Sequence, residues 1–177
     1  MPPITVKEYF TYPETTRPME LVYGVVREPP SPRYGHQSIV TRLTTLLGTH
    51  VEERQLGRVL VSPMDVVLDE PGALVVQPDV IFIANERLDI IRERIWGPPD
   101  LAVEVLSPRT AARDRTVKLG WYRRYGVREC WLVDSRRYSV EVVDLKSVSV
   151  PRLFSGTEPI RSSVLPDWTI PAVRICA

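Results

Sequence analysis

Apolar positions along the chain fall into a small number of rhythms. Between His36 and Leu56, Ile39, Leu43, Leu46, Leu47 and Val51 recur at three-and-four spacing, which predicts a helix with Gly57 as its stop. Thr5 and Glu8 stand at capping-box spacing, so a short helix is expected to start at Thr5. Strand-like runs occupy 19–28 ("MELVYGVVRE"), 58–68 ("RVLVSPMDVVL", with Pro63 marking a bulge or edge) and 75–84 ("VVQPDVIFIA"). After a polar, helix-compatible stretch from Asn85 to Arg94 comes "LAVEVLSP", 101–108, which reads as a buried strand ending at Pro108. Residues 111–125 predict a helix closed by Gly126. "VRECWLVD" and "YSVEVVDL", 127–134 and 138–145, predict a hairpin turned at "SRR". The tail after Lys146 offers at most an edge strand. The order is that of a single α/β domain over 1–177, with a mixed central β-sheet flanked by α-helices.

Two carboxylates interrupt this pattern. Glu104 sits in the middle of "LAVEVL", and Asp79 stands within an apolar run after Pro78. A buried charge without partners costs several kcal/mol, so each needs a cation, a proton or a metal. Strand alternation puts Glu104 on one face with Ala102 and Leu106, and Asp79 with Ile81 and Ile83. On the following helix, Asp114, Lys118, Trp121, Tyr122 and Tyr125 share one side, whose aromatics should pack on the sheet and carry Lys118 toward Glu104. The plainer readings are a turn cap at Asp79, a buried arginine pair at Glu104, and a helical ion pair of Lys118 with Asp114. The aromatics read as core, and Cys130 as packed or inert.

Composition narrows the class. Hydrophobic residues at 44% and charged residues at 25% over 177 positions suit a water-soluble globular domain, and no apolar run reaches the roughly 20 residues of a membrane span. Two cysteines are too few for a disulfide framework or zinc cluster, and "MPPITVKEYF" lacks a signal-peptide layout, so a cytoplasmic protein with reduced thiols is expected. Net charge is only +1, yet Arg109, Arg113, Arg115, Lys118, Arg123, Arg124 and Arg128 face a single acid, Asp114, in their stretch. That is either a phosphate-contacting patch or a solvated helix face. Lysine is scarce, with Lys7, Lys118 and Lys146 alone, so chemistry needing an ammonium has few candidates. His36 near a helix start could meet a phosphate or act as a base. Asp65 could be a further acid of the cleft or a bulge residue.

"QPDV", "AVEVLSP" and "RDRTVKLGWYRRYGVRECWLVD", with "MELVYGVV" and the helix from Gly35, resemble the Uma-type endonucleases of the PD-(D/E)xK restriction-endonuclease-like superfamily. The resemblance implies a restriction-endonuclease-like core. It implies Asp79 and Glu104 as ligands for Mg²⁺ or Mn²⁺, with the carbonyl of Val105 as an extra ligand and Glu20 completing the acidic set. The superfamily pattern puts lysine two residues after the glutamate, where this chain has Leu106. The family's answer is a lysine on the next helix, here Lys118, as third catalytic member. On this reading the chain is a metal-dependent endonuclease acting on nucleic acid, DNA foremost, with Arg109, Arg113, Arg115 and His36 contacting the strand. A homodimer follows from the need to cut two strands, with the 127–145 hairpin as its candidate surface. Two other classes stay open: a nucleic-acid-binding or assembly module that keeps the fold without turnover, and a phosphodiesterase for a small nucleotide.

Overall fold

The computed structural model describes residues 2–13, 15–107, 111–147 and 150–176. Eleven strands form two mixed sheets. The smaller has the order β2 (Val25–Arg27), β1 (Glu20–Val22), β5 (Leu74–Val76), β4 (Val66–Asp69), β7 (Ile95–Trp96). The larger has the order β11 (Arg152–Ser155), β10 (Ser139–Asp144), β9 (Glu129–Asp134), β8 (Leu101–Val105), β6 (Val80–Ala84), β3 (Gly57–Val61). Within it β8 runs parallel to β9 and antiparallel to β6, and all five of its residues are buried. A strand covered on both faces loses the apolar–polar alternation, which is why "LAVEV" reads as a continuous apolar run around one acid.

Three predicted strands are each two elements. The 19–28 run folds back as the β1–β2 hairpin, because Tyr23 and Gly24 take φ of 50° and 81°, conformations that suit a tight two-residue turn. The 58–68 run breaks at Pro63 into β3 and β4, and the 75–84 run breaks at Gln77–Pro78 into β5 and β6. In both cases the first and second halves lie in different sheets. Proline donates no ladder hydrogen bond, so a chain leaving one sheet for another gives up least by doing so there. Asp79 therefore stands just before β6, at the seam between the sheets, and not inside a strand.

α1 (Val6–Tyr9) begins with the expected capping box, Thr5 and Glu8 exchanging hydrogen bonds. α2 (Tyr34–Glu53) buries Ile39, Val40, Leu43, Leu47 and Val51 on one face of the larger sheet, against Phe82, Val103 and Trp131. Leu43 and Leu47 are fully buried, each worth roughly 1.5–3 kcal/mol of transfer free energy. The opposite face, with Ile81, Ile83, Ala102, Leu106 and Leu132, meets the smaller sheet and the helical stretch 111–125. That stretch consists of α3 (Ala111–Arg113), a π turn (Asp114–Lys118) and α4 (Leu119–Tyr125). Gly126 closes it at φ 93°, as its position predicts. α1 covers the far face of the smaller sheet through Val6, Tyr9, Leu21 and Val75. The tail supplies the edge strand β11 and a short α5 (Ala172–Cys176).

The hairpin considered as a dimer surface is interior: β9 lies between β8 and β10, and β10 between β9 and β11. No described helix is long and apolar enough to cross a membrane.

Candidate active site

Glu104 faces the layer between the two sheets and is 4% exposed. Its carboxylate is held from two sides. Lys118 Nζ lies 3.0 Å from each oxygen, and the Tyr122 hydroxyl donates to Oε1. The same ammonium lies 3.1 Å from Oε1 of Glu20, itself 2% exposed on β1, and Arg113 Nη2 donates to Oε2 of Glu20 at 2.9 Å. Lys118 thus bridges an acid of each sheet.

The helix reaches this place through its π turn. A π turn carries about one extra residue for its length, and such turns concentrate at functional positions. Asp114 and Lys118, its first and last residues, are both buried, and Tyr122 follows four residues later on the same inner side.

Asp79 completes the arrangement at the seam. Its Oδ2 accepts the backbone N–H of Val105 at 2.7 Å, which ties it to the residue after Glu104. His36 Nε2, from the first turn of α2, lies 3.2 Å from the same oxygen. The N–H of Val105 is committed to Asp79, and strand geometry turns the carbonyl of the same residue to that side of β8 as well.

The charges follow from these contacts. Burial pushes the Glu104 carboxyl up and the charges of Asp79 and Asp114 add to the rise, while Lys118 pulls it down. Burial alone would lower Lys118, but Glu104, Glu20, Asp114 and Asp79 outweigh it and hold the ammonium charged. Glu20 goes the other way: burial would raise it, and Lys118 and Arg113 together bring it below its ordinary value. In His36 the cost of burial is outweighed by the bond to Asp79 and its charge, so its pKa rises. Tyr122 stays protonated far above neutrality through burial and the charge of Glu104, and so remains a donor.

The structure therefore gathers Asp79, Glu104, Lys118, Glu20, His36 and Arg113. It does not gather Arg115, whose guanidinium pairs with Glu141 on β10. Arg109 lies outside the described residues. Arg128 is engaged by Asp100, so among the described residues Arg113, Arg115, Lys118 and Arg128 of the basic stretch are each paired with carboxylates. Asp65 stands apart from the cluster, accepting from Tyr9, Gln77 and Arg94. Tyr122 was legible only as a core aromatic, and its hydroxyl role was missed. The available signal was its place one turn after Lys118 on the face already assigned inward.

Four carboxylates, Glu20, Asp79, Glu104 and Asp114, face two fixed cations, Lys118 and Arg113, and one titratable histidine. An oxygen-only set with negative charge in excess fits a hard divalent cation by its donor chemistry. Among the described residues, no three His, Cys, Asp or Glu side chains are drawn close enough to enclose a metal as they stand. Lys118 holds the space between Glu104 and Glu20, and a bound cation would share Glu104 with it.

No curated protein matches the chain. A solved structure, that of a putative nuclease belonging to DUF820 from Anabaena variabilis, matches with a TM-score of 0.82 over 98% of this chain and 98% of that one, at 19% identity. That likeness shows a shared mixed α/β fold. The family model of Uma2, described as putative restriction endonuclease, matches residues 6–173, and the chain belongs to that family.

Proposed function

We propose that the chain is one restriction-endonuclease-like domain that hydrolyses phosphodiester bonds of nucleic acid, DNA foremost, with Mg²⁺ or Mn²⁺. The observation that carries the reading is the buried Glu104–Lys118–Glu20 bridge set beside Asp79 at the seam of the two sheets. Such a cluster contributes little to stability for the desolvation it demands, which favours a role in chemistry.

Asp79 and Glu104 would hold the metal, with Glu20 nearby. Once bound, the metal supplies a water acidified toward neutrality and neutralises a phosphate oxygen. Lys118 keeps its proton and places a fixed positive charge where negative charge grows on the reacting phosphate. Tyr122 and Lys118 hold Glu104 in one orientation. His36, 3.2 Å from Asp79, would orient it or meet a phosphate, and Arg113 and Arg115, with 29% and 34% of their side chains exposed, would contact the strand from their carboxylate partners' side. Two such sites are needed to cut both strands, and a homodimer would provide them.

One observation favours a second reading. Both oxygens of Glu104 are already taken by Lys118, as they would be in an assembly or binding module that retains the fold without turnover.

Supercoiled plasmid at low salt, with Mn²⁺ or Mg²⁺ and then with chelator, separates the two. Metal-dependent nicking by wild type and none by Asp79→Ala is the expected result. Salt-dependent DNA binding without cleavage, and no calorimetric signal from either metal, would replace the nuclease with the binding module.

A further inference from the structure

We infer that the cleft next to the acidic cluster receives one unstacked base of a nucleic-acid strand, guanine ahead of the others. This rests on the nuclease reading and deepens it, by giving the substrate strand a second point of attachment.

The cleft has a volume of about 580 Å³ and is lined by Tyr9, Tyr12, Met64, Asp65, Gln77 and Arg94 among others. Small-molecule sites have this size, and the lining here is at least as polar as it is apolar, with aromatic rings set among hydrogen-bonding groups. It adjoins the cluster through shared backbone. Met19, next to Glu20, donates its N–H to Gln77 Oε1 at 3.0 Å, and the N–H of Gln77 reaches Glu20 Oε1 at 3.4 Å. Gln77 is also two residues before Asp79.

Its polar groups form a fixed array with capacity left over. Asp65 Oδ1 accepts from Gln77 Nε2 at 2.9 Å and from the Tyr9 hydroxyl at 3.3 Å, while Oδ2 accepts from Arg94 Nε at 3.1 Å. A carboxylate has about four acceptor sites, so Oδ2 can take another donor. Arg94 is committed through Nε alone among the described residues, and its guanidinium stacks 4.1 Å from the centre of the Phe10 ring. Tyr12 stands 42% exposed at the cleft wall. Splayed bases stack on aromatic rings and guanidinium planes and are read along their hydrogen-bonding edges. Guanine offers adjacent N–H donors at N1 and N2, which can converge on the one position left open at Asp65 Oδ2, and acceptors at O6 and N7, which the outer N–H groups of the Arg94 guanidinium satisfy. The other bases lack this pairing of two donors with two acceptors. If Asp65 served only to tie α1 to β4, the array would need neither an exposed tyrosine nor open space in front of it.

The test is calorimetric titration of the full chain, in chelator, with GMP, AMP, CMP and TMP in turn. Saturable GMP binding at least about fivefold tighter than the other three is expected, weakened about tenfold in Tyr12→Ala and in Asp65→Asn. Absent GMP binding, equal affinity for all four, or affinities that both variants leave unchanged would overturn the inference. Should Asp65→Asn fail to fold, Tyr12→Ala decides, since its ring is partly in solvent. The chelator isolates the cleft from catalysis. GMP binding without plasmid nicking would remove the nuclease reading and keep the cleft, and nicking with equal mononucleotide affinities would do the reverse.

Discussion

Lys118 grips Glu104 through both carboxylate oxygens at 3.0 Å, across a 14-residue separation and in a place where neither side chain is more than 7% exposed. The pair is too buried to be dismissed as a surface ion pair worth under about 1 kcal/mol.

Replacing Lys118 by methionine leaves Glu104 and Glu20 facing each other without their shared cation. Removing one partner of a buried pair costs about 3–5 kcal/mol, and a urea-unfolding midpoint shifted accordingly is expected. Adding Glu104→Gln to that variant should restore part of the loss, because the uncompensated charge is then gone. A double variant no more stable than the single one would contradict this account.

Tyr122→Phe removes one hydroxyl and changes no volume of consequence. Glu104, 4% exposed, then loses a donor, at a cost of roughly 1–3 kcal/mol with an unchanged circular-dichroism spectrum. A neutral result in chemical denaturation would mean that Lys118 alone satisfies the carboxylate.

Glu129 offers a contrast, since it is fully buried and, among the described residues, is held by neutral donors and by no cation. It accepts from Trp131 Nε1 at 2.7 Å, from Ser162 Oγ at 2.6 Å, and from Ser163 N and Oγ at 2.6 and 2.7 Å, pinning the loop before α5 to β9. Glu129→Gln sets an amide N–H₂ against those donors. A loss of about 2–3 kcal/mol is expected, with faster protease cleavage near 160–168 ahead of global unfolding. Uniform destabilisation without local cleavage would argue against the clasp.

His50 is buried beside Trp168, with Nε2 2.9 Å from the Pro166 carbonyl. Burial lowers its pKa below the ordinary 6.5, outweighing the raising effect of that carbonyl. A depressed histidine binds fewer protons folded than unfolded, so its stabilising share is complete above pH 6.5 and is lost as pH falls below it. His50→Asn should flatten the decline in stability between pH 7 and pH 5 relative to wild type. Parallel pH profiles for the two proteins would refute the assignment. His36 has the opposite sign, its pKa being raised, so its contribution fades as pH climbs.

What the sequence disclosed followed the range of each signal. β8, α2 and the helical stretch ending at Gly126 were legible because their periodicity, acid and stop are local. The face shared by Lys118, Trp121 and Tyr122 was legible for the same reason. The breaks at Pro63 and Pro78 were not read as changes of sheet, since both halves of each run are apolar and periodicity does not say which neighbour a strand chooses. Glu20 reads as an acid near the start of the 19–28 strand until β1 is set opposite α3 and the π turn. Arg113, Arg115 and Arg128 look like part of one patch in one dimension, and their partners, Glu20, Glu141 and Asp100, come from elsewhere in the chain.

The π turn carries a consequence for how this chain can change. Leu106, two residues after Glu104, is core, 7% exposed and packed among Ala102, Trp121 and Tyr122. The ammonium beside Glu104 comes from a helix, so its registration with that carboxylate is a matter of how the helix beds on the sheet. Substitutions at Trp121 or Leu132 that touch no charged atom would slide the helix and mistune the pair. In this protein the fit of apolar surfaces acts as the alignment screw for an electrostatic contact.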